Sequence, residues 1–373
     1  MKVVFFVHAI ASCWNNGNAH FLRGVVTALQ RKGHHVEVFE PRAAWSRENL
    51  LADHGPAALE SFERAFPTIR PRFYDPAMDD PETLIGDADL VIAHEWNEPP
   101  FVNRLGRLRA GGGDFLLLFH DTHHRAATSP DEMRRFDLSG FDGVLAFGSA
   151  IANIYRSRGW AKNAWTWHEA ADTSIFYPRT AETRDGDLVW VGNWGDGERS
   201  EELRQFLLEP VEALGLSADI FGVRYPAGAQ AELRRRNIRY RGWLANHAVP
   251  EAFAHYRLTV HVPRRPYATA LPGIPTIRVF EALACGIPLV SAPWNDSESL
   301  FPPDCFLLAE DGTFMQRQMR AVLNDAELAA ALVRNGLQAI RDRHTCDHRA
   351  DELLAIAASL APGAQTRTLR KAG

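Results

Sequence analysis

Short apolar runs alternate with amphipathic helical patterns along most of this chain, and no other feature of the sequence restricts its fold as strongly. The first strand is predicted at Val3–His8, the first helix at Phe21–Lys32 and the second strand at His35–Glu40. Gly33 follows the helix, where a C-cap glycine is favoured. Strands that alternate with helices at this spacing predict a parallel, doubly wound α/β sheet.

The alternation occurs in two series, which suits two domains in a chain of 373 residues. The first series continues with strands at Leu90–His94, Phe115–His120 and Val144–Phe147, and residues 41–85 form a less regular insert rich in charge and proline. The second series begins after Pro178. Its predicted strands are Leu188–Gly192, Ala218–Gly222, Ile238–Tyr240, Leu258–Val262, Pro288–Ser291 and Cys305–Ala309. The helices predicted between them include Ser200–Ala213, Pro275–Cys285 and Asp325–Arg343.

These boundaries predict two Rossmann-like domains, residues 1–172 and 173–344. A further amphipathic helix is expected at 345–360, with Thr345 as its N-cap, and we expect it to pack back towards the first domain. The tail at 361–373 is predicted to be disordered.

Composition and charge exclude several classes of protein. The formal net charge is −5, which argues against nucleic acid as a partner, because phosphate binding needs a basic surface. Apolar runs such as Phe115–Phe119 are far shorter than the ~20 residues of a membrane span. Peripheral contact with a membrane and the oligomeric state stay open. The four cysteines are widely spaced and the start of the chain does not resemble a signal peptide, so we expect a cytoplasmic protein.

Polar side chains follow two neighbouring strands of the first series. His94, Glu95 and Trp96 come at the end of one strand, and His120 and Asp121 come at the end of the next. Ligands of open parallel sheets bind at these carboxyl ends, and a histidine beside a carboxylate can act as a base near neutral pH. We assign the first three to the acceptor side and the last two to catalysis; ordinary loop histidines are the alternative.

Metal binding is not expected. The histidines at 120, 123 and 124 do not match a ligand pattern such as HExxH. The Asp185-Gly-Asp187 sequence precedes a strand and is interpreted as a turn.

The segment from Leu271 to Pro288 is the most informative part of the chain. Pro275 suits a first helical position and Gly286 a C-cap. The start of such a helix can hold a diphosphate on its N–H groups, and Glu281, which shares a face with Arg278, could accept hydrogen bonds from ribose hydroxyls. A plain surface pair of Arg278 and Glu281 is the alternative.

Positive charge also follows two other strands of the second series. Arg264 and Arg265 come after one strand, and Asn193 and Arg199 come after another. Arginines bind phosphate oxygens bidentately, so several of them at adjacent strand ends predict one diphosphate pocket, although any single one could be a solvated surface charge. Trp243 follows a further strand and could stack on a nucleobase.

Three segments of the sequence resemble glycosyltransferases with the GT-B fold. They are Gly17–Val36, which ends in a Gly-His-His-Val turn, His168–Pro178, and Arg278–Gly286. The resemblance covers about residues 1–360 and is closest to the CgeB-like group, related to family 4. It implies two Rossmann-like domains that face each other across a cleft, with the acceptor on the first domain and a nucleotide sugar on the second.

The resemblance also implies roles for individual residues. Glu281 matches the residue that holds the ribose, and His120 matches a histidine near the transferred sugar. The remaining predicted donor contacts are Gly17, Asn193, Arg199, Trp243, Arg264, Arg265, Gly273, Ile274, Pro275, Thr276 and Arg278. The related retaining enzymes carry a Glu-x7-Glu pair, but Gly273 stands at its first position here.

The sequence therefore predicts a hexosyltransferase-like enzyme that needs neither a metal nor another cofactor and uses a UDP- or GDP-sugar as co-substrate. Two alternatives stay open, a nucleotide-sugar epimerase of the same fold and a non-catalytic nucleotide-sugar-binding protein. Ten tryptophans are present, and those at 14, 96, 194 and 243 follow predicted strands, so we expect them on the cleft side.

Overall fold

The computed structural model describes residues 1–360, and the chain forms two compact units. The first unit contains Met1–Ser12, Leu22–His168 and, within the described residues, 346–360. The second unit contains Cys13–Phe21 and Glu169–Thr345. The tail at 361–373, which the sequence predicts to be disordered, lies outside the described residues.

The first unit is built on a sheet of seven parallel strands. In chain order they are β1 (Lys2–Phe6), β2 (His35–Pro41), β3 (Arg72–Tyr74), β4 (Leu90–His94), β5 (Leu116–Asp121), β6 (Gly143–Ala146) and β7 (Ala164–Thr166). Their order across the sheet is β3-β2-β1-β4-β5-β6-β7, so the direction of winding reverses between β1 and β4. Every residue of β4 is buried, which is typical of a parallel strand covered on both faces.

Helices connect these strands, and one segment differs from its prediction. The helices are α1 (Asn18–Arg31), α2 (Trp45–His54), α3 (Ala57–Ala65), α4 (Pro81–Ile85), α5 (Pro99–Ala110), α6 (Arg125–Thr128), α7 (Pro130–Met133) and α8 (Ser149–Ser157). The insert at 41–85 is not irregular, because it contains three of these helices and β3. Buried Leu50 and Phe62 supply the apolar positions that its charged sequence conceals.

The second unit is built on a sheet of six parallel strands. They are β8 (Leu188–Val191), β9 (Ala218–Phe221), β10 (Arg239–Gly242), β11 (Leu258–His261), β12 (Leu289–Ser291) and β13 (Leu307–Leu308). The order β10-β9-β8-β11-β12-β13 places its reversal between β8 and β11. The helices are α9 (Ser200–Leu203), α10 (Glu209–Leu214), α11 (Ala227–Arg235), α12 (Val249–Ala254), α13 (Arg265–Thr269), α14 (Ile277–Cys285), α15 (Gly312–Asn324) and α16 (Ala326–Arg343).

Two predicted helices of the second unit have different bounds. The helix expected at Ser200–Ala213 contains a π-helical turn at Arg204–Leu208, directly before α10. Pro210 has no N–H with which to continue an α-helical ladder, which accounts for the widened turn. Pro275 is not the first helical residue, because α14 begins at Ile277 and Thr276 is its extended N-cap.

The last helix, α17 (Cys346–Leu360), clusters with the first unit. Among the helices of residues 1–360, none is long and apolar enough to cross a membrane. Cys13, Cys285 and Cys305 are free thiols.

Candidate functional site

The best-developed polar cluster lies at the reversal point of the second sheet, where open parallel sheets bind ligands. The loop after β8 supplies Asn193 and Arg199, and the loop after β11 supplies Arg264. Arg199 and Arg264 both donate to Asn193 Oδ1, over 2.6 and 3.4 Å. The structure therefore brings together three residues that the sequence predicts as donor contacts.

Arg199 is half-buried and pairs with no carboxylate of the described residues. Its guanidinium donates to the carbonyl oxygens of Asn193 at 2.8 Å and Val262 at 3.1 Å, and its Nε lacks an acceptor. Burial, together with the charges of Arg264 and Arg278, lowers its pKa to about 10. This site consequently concentrates positive charge that the protein's own acidic groups offset incompletely.

The N-terminus of α14 adjoins this cluster through His261. The Ser291 hydroxyl donates to Ala292 O, so it accepts from His261 Nδ1 at 2.8 Å. His261 Nε2 then accepts from the Thr276 hydroxyl at 3.1 Å, and this hydroxyl does not cap the helix. Burial, with the neighbouring arginine charges, lowers the pKa of His261 to about 3, so the ring is neutral at physiological pH.

A buried carboxylate, that of Glu169, lies against the first turn of α14. It accepts from the Ile277 N–H and from Asn18 Nδ2, the latter at 3.1 Å. Burial raises its pKa to about 7, and the Glu281 charge contributes in the same direction. The helix start therefore already interacts with an internal acidic group.

Glu281 is fully buried, with two side chains hydrogen-bonded to it and a third in an ion pair with it. His20 Nδ1 lies 2.8 Å and Asn246 Nδ2 2.7 Å from its Oε1, while Arg278 pairs with Oε2. Because the Asp172 N–H donates to His20 Nε2, the ring proton of His20 is on Nδ1 and points to Glu281. Burial alone would raise the pKa of Glu281, but Arg278, His20 and Asn246 hold it below its ordinary value. A ribose hydroxyl reaches this carboxylate only if one of these side chains moves.

The other predicted donor residues differ in their burial and in their partners. Gly17 lies against Ile277, since a Cβ at position 17 would be 3.2 Å from the Ile277 side chain. Arg265 does not join the cluster, because it is half exposed and pairs with Glu202 at 2.8 Å. Trp243 is half-buried after β10. Gly273, Ile274 and Pro275 are buried in the loop before α14.

Two of the four tryptophans expected on the ligand side are buried instead. Trp194 is 7% exposed and packs in the second unit's core against Tyr225, with ring centroids 5.6 Å apart. Trp14 is 8% exposed. A position just after a strand does not determine whether a side chain turns outwards or into the core. Trp96, at 38%, is the one tryptophan exposed among the described residues.

In the first unit, the ends of β4 and β5 bring all five predicted residues together. Glu95 pairs with Arg125 and accepts from the Thr122 hydroxyl at 3.3 Å. Asp121 accepts from the Tyr155 hydroxyl at 2.8 Å. Burial raises the pKa of both carboxyl groups, and the Asp121 charge adds to the shift of Glu95.

Most of these side chains are inaccessible to solvent, which the sequence does not reveal. His120 and Asp121 are fully buried, and burial lowers the pKa of His120 to about 3, so its ring is neutral. The His94 ring meets the His120 ring edge-on at 5.1 Å, and burial keeps the pKa of His94 far below its usual range. Trp96 is the accessible member, with Arg125 4.2 Å above its ring. Within residues 1–360, no group of three or more His, Cys, Asp or Glu side chains is arranged to hold a metal ion.

Several residues of both clusters are absent from the sequence prediction. They are His20, Asn246, Glu169, His261, Arg125 and Tyr155. His20 and Arg125 lie in polar loops after predicted strands, which is a usable signal. Asn246 and Tyr155 lie in segments without a comparable pattern, so nothing local indicates them.

Comparison with known proteins agrees with this architecture. Residues 199–355 match a family model described as glycosyl transferase-like. No curated protein matches the chain. Among solved structures, sucrose-phosphate synthase from Thermosynechococcus elongatus is similar with a TM-score of 0.64 and 15% identity, over 100% of both chains. Anabaena Alr3699/HepE in complex with UDP and glucose has a TM-score of 0.65 and 14% identity, over 96% of this chain and 100% of that chain.

An α-glucosyltransferase in complex with UDP is also similar, with a TM-score of 0.67 and 11% identity over 96% of this chain and 99% of that chain. At such identities the similarity shows the fold, and the closer assignment to the CgeB-like group and family 4 stays a prediction. The chain thus has the GT-B fold of two parallel-sheet α/β domains, and its residues 199–355 form a glycosyl transferase-like region.

Proposed function

We propose that this protein transfers a sugar from a nucleoside-diphosphate sugar to an acceptor and uses no resident metal ion. The fold and the glycosyl transferase-like region support this proposal, as do the similar structures whose titles name UDP or UDP-glucose. The observation that carries it is Arg199, a guanidinium at the reversal point of the second sheet without a carboxylate partner among the described residues.

The physical argument concerns the cost of that charge. Taking a guanidinium out of water without a counter-charge is unfavourable, and an anion at the same site removes the penalty. Arg264 adds a second guanidinium, although Glu198 at 2.5 Å offsets part of its charge. A diphosphate supplies the negative charge and the oxygen atoms that such forks bind.

In the proposed reaction, the bond between the anomeric carbon and the diphosphate oxygen breaks and the acceptor oxygen bonds to the anomeric carbon, while the proton of the acceptor hydroxyl passes to the carboxylate of Asp121. The leaving diphosphate takes the electron pair, and Arg199 and Arg264 stabilise its charge. The anomeric carbon gains oxocarbenium character. In this mechanism the two arginines supply the positive charge that a divalent cation supplies in other transferases.

The acceptor is proposed to bind at the first unit's cluster after β4 and β5. Trp96 offers an accessible aromatic face, and Glu95 and Asp121 are carboxyl groups whose raised pKa suits proton transfer. His120 and Asp121 remain our candidates for catalysis. One similar structure is by title a DNA-modifying β-glucosyltransferase and another an α-glucosyltransferase in complex with UDP-glucose and DNA, but the net charge of −5 does not favour DNA as the acceptor here.

A thermal-shift panel with UDP, GDP, ADP, CDP and TDP tests the proposal first. At least one diphosphate should raise the Tm, because a ligand that binds the native state stabilises it. The matching nucleotide sugars, with sugar and lipid-linked acceptors, should then give a glycosylated product by mass spectrometry. No shift with any diphosphate at millimolar concentration would overturn the proposal. Conversion of a nucleotide sugar without an acceptor would indicate an epimerase, and binding without turnover a non-catalytic protein.

A further inference from the structure

The first turn of α14 interacts with an acidic side chain of the protein itself. Glu169 accepts a hydrogen bond from the Ile277 N–H, at the first residue of the helix, and another from Asn18 Nδ2 at 3.1 Å. The first N–H groups of a helix are usually satisfied by a capping side chain, but the Thr276 hydroxyl bonds to His261 and does not cap this helix. Glu169 therefore lies where an anion bound at the helix start would lie.

The surroundings of Glu169 disfavour its negative charge. It forms no ion pair with a cation of the described residues. The charge that acts on it is that of Glu281, an acidic residue of α14 whose own partners include Arg278 and His20. Burial and the repulsion from Glu281 raise the pKa of Glu169 to about 7. Near neutral pH, the protonated and ionised forms of this carboxyl group are therefore present in similar amounts.

The other titratable groups around this turn either have partners of their own or titrate far from pH 7. Asp172, in the same segment as Glu169, accepts two hydrogen bonds from its own turn, and the His168 ring donates to a backbone carbonyl oxygen. At the anion site, the pKa of Arg199 is about 10 and that of His261 is about 3, in both cases lowered by burial and by neighbouring arginine charges. Glu169 consequently changes its charge in a pH range where these two groups do not.

A diphosphate held by the arginine cluster that adjoins α14 makes these two forms of Glu169 unequal. The ionised carboxylate repels a phosphate, whereas the protonated group has an O–H that can donate to a phosphate oxygen. Thr276 and Arg278, on either side of Ile277, are half-buried, so a ligand can reach this turn. We propose that Glu169 binds the donor diphosphate as a protonated carboxylic acid, with the proton taken from solvent, so that donor binding weakens as the pH rises. This inference rests on the proposed function.

The test measures the affinity for a nucleotide sugar at pH 6 and pH 8 by isothermal titration calorimetry. UDP-glucose, GDP-mannose, ADP-glucose and TDP-glucose are compared first, and the one that wild type binds most tightly is used for the variants. A nucleotide sugar is preferred to a free diphosphate, because a terminal phosphate itself titrates at a pH of about 6. Glu169→Gln keeps the size of the side chain and replaces the O–H donor with an amide N–H. Glu182→Gln, at an exposed position, is the control.

For wild type and Glu182→Gln we expect about a tenfold loss of affinity from pH 6 to pH 8, since a group that titrates near pH 7 passes from mostly protonated to mostly ionised. The affinity of Glu169→Gln should change less than about twofold. At pH 7, titrations in Pipes and in Tris should show net proton uptake on binding in wild type and none in Glu169→Gln.

Two results would overturn the role of Glu169 and leave the proposed function intact. They are a wild-type affinity that does not fall between pH 6 and pH 8, and a loss in Glu169→Gln as large as that in wild type. If wild type binds no nucleotide sugar at either pH, the proposed function fails and this inference fails with it.

Discussion

The loops after the first strand of each sheet differ in how the charged groups around them are paired. After β1, the N–H groups of Ile10 and Ala11 donate to the Glu40 carboxylate at 2.8 and 3.1 Å, and their carbonyls accept from Arg23 at 2.7 and 3.1 Å. Glu40 and Arg23 are both buried. The backbone of this loop is therefore paired with a buried carboxylate from β2 and a buried guanidinium from α1.

In the loop after β8, Asp196 pairs with Arg224 and Glu198 pairs with Arg264, so the guanidinium of Arg199 has no carboxylate partner among the described residues. Arg199 donates only to uncharged oxygens of the described residues, and the charges of Arg264 and Arg278 lower its pKa more than the charge of Asp196 raises it. The same α/β architecture thus gives two loops with opposite requirements. The comparison therefore favours the second sheet for the phosphate-binding role that we propose, since the charged groups around the loop after β1 are paired within the protein.

Replacement of Glu40 is the most disruptive test of this contrast. Glu40→Ala leaves two buried N–H groups without an acceptor and opens a cavity, so we expect a loss of about 4 kcal/mol in the free energy of unfolding. Glu63→Ala, at an exposed site of α3, should cost less than about 0.5 kcal/mol. Urea unfolding measures both. Diphosphate affinity should stay within twofold in folded Glu40→Ala, and a large loss would place the anion site in the first unit.

Glu169 provides a pH-dependent test of the second unit. Its pKa is about 7 in the folded protein against an ordinary value of 4.5, so the folded state binds more protons between these values and stability falls as pH rises through them. Glu169→Gln should gain stability relative to wild type between pH 5 and pH 8, by at most about 3 kcal/mol. Thermal unfolding across this pH range measures the gain in stability, and Glu182→Gln, at an exposed position, is the control. A difference that does not change with pH would contradict the assignment.

Arg199 tests the cationic half of the comparison. Arg199→Gln should weaken binding of the diphosphate that shifts the Tm most by about 100-fold, because charge-assisted bonds to phosphate are lost. Arg265→Gln is the matched control, since Arg265 forms an ion pair with Glu202 at the surface. This variant should change the affinity for the diphosphate less than threefold. Calorimetry distinguishes them. Equal effects of the two variants would mean that the cluster around Arg199 is not the phosphate site.

Trp96 gives the smallest expected effect and tests the first unit's remaining role. Trp96→Ala should raise the KM for the acceptor about tenfold and leave donor hydrolysis unchanged, since the aromatic face is lost only on the acceptor side. Phe73→Ala is well matched, because Phe73 is 39% exposed and has Arg47 4.4 Å above its ring. Initial rates at varied acceptor concentration measure the difference. A similar KM in both variants would remove Trp96 from the acceptor site.

Much of the fold could be predicted because parallel α/β sheets impose strong local patterns. The strand at Leu90–His94 has the predicted bounds, and most other predicted strands are displaced by only one or two residues. The same topology places loop residues such as Asn193 and Arg264 at one edge of a sheet, which is why their association was predictable.

The hydrogen bonds and ion pairs of the site were not predictable, since they join residues that are far apart in sequence. His20 and Glu281 are separated by 261 positions, and nothing near either residue indicates the other. Burial also reverses an expectation, because Glu281 looks available on a helix surface in the sequence but is enclosed by partners in the fold. The ion pair between Arg265 and Glu202 is likewise not predicted by the local sequence around either residue.

Hydrogen–deuterium exchange with and without the diphosphate that gives the largest thermal shift tests the central contrast most directly. Amides that pack around a bound ligand open less often and exchange more slowly. We predict slower exchange in peptides that cover 193–199 and 273–281, and unchanged exchange in the peptide that covers 7–12. Protection at 7–12 without protection at 193–199 would contradict the account.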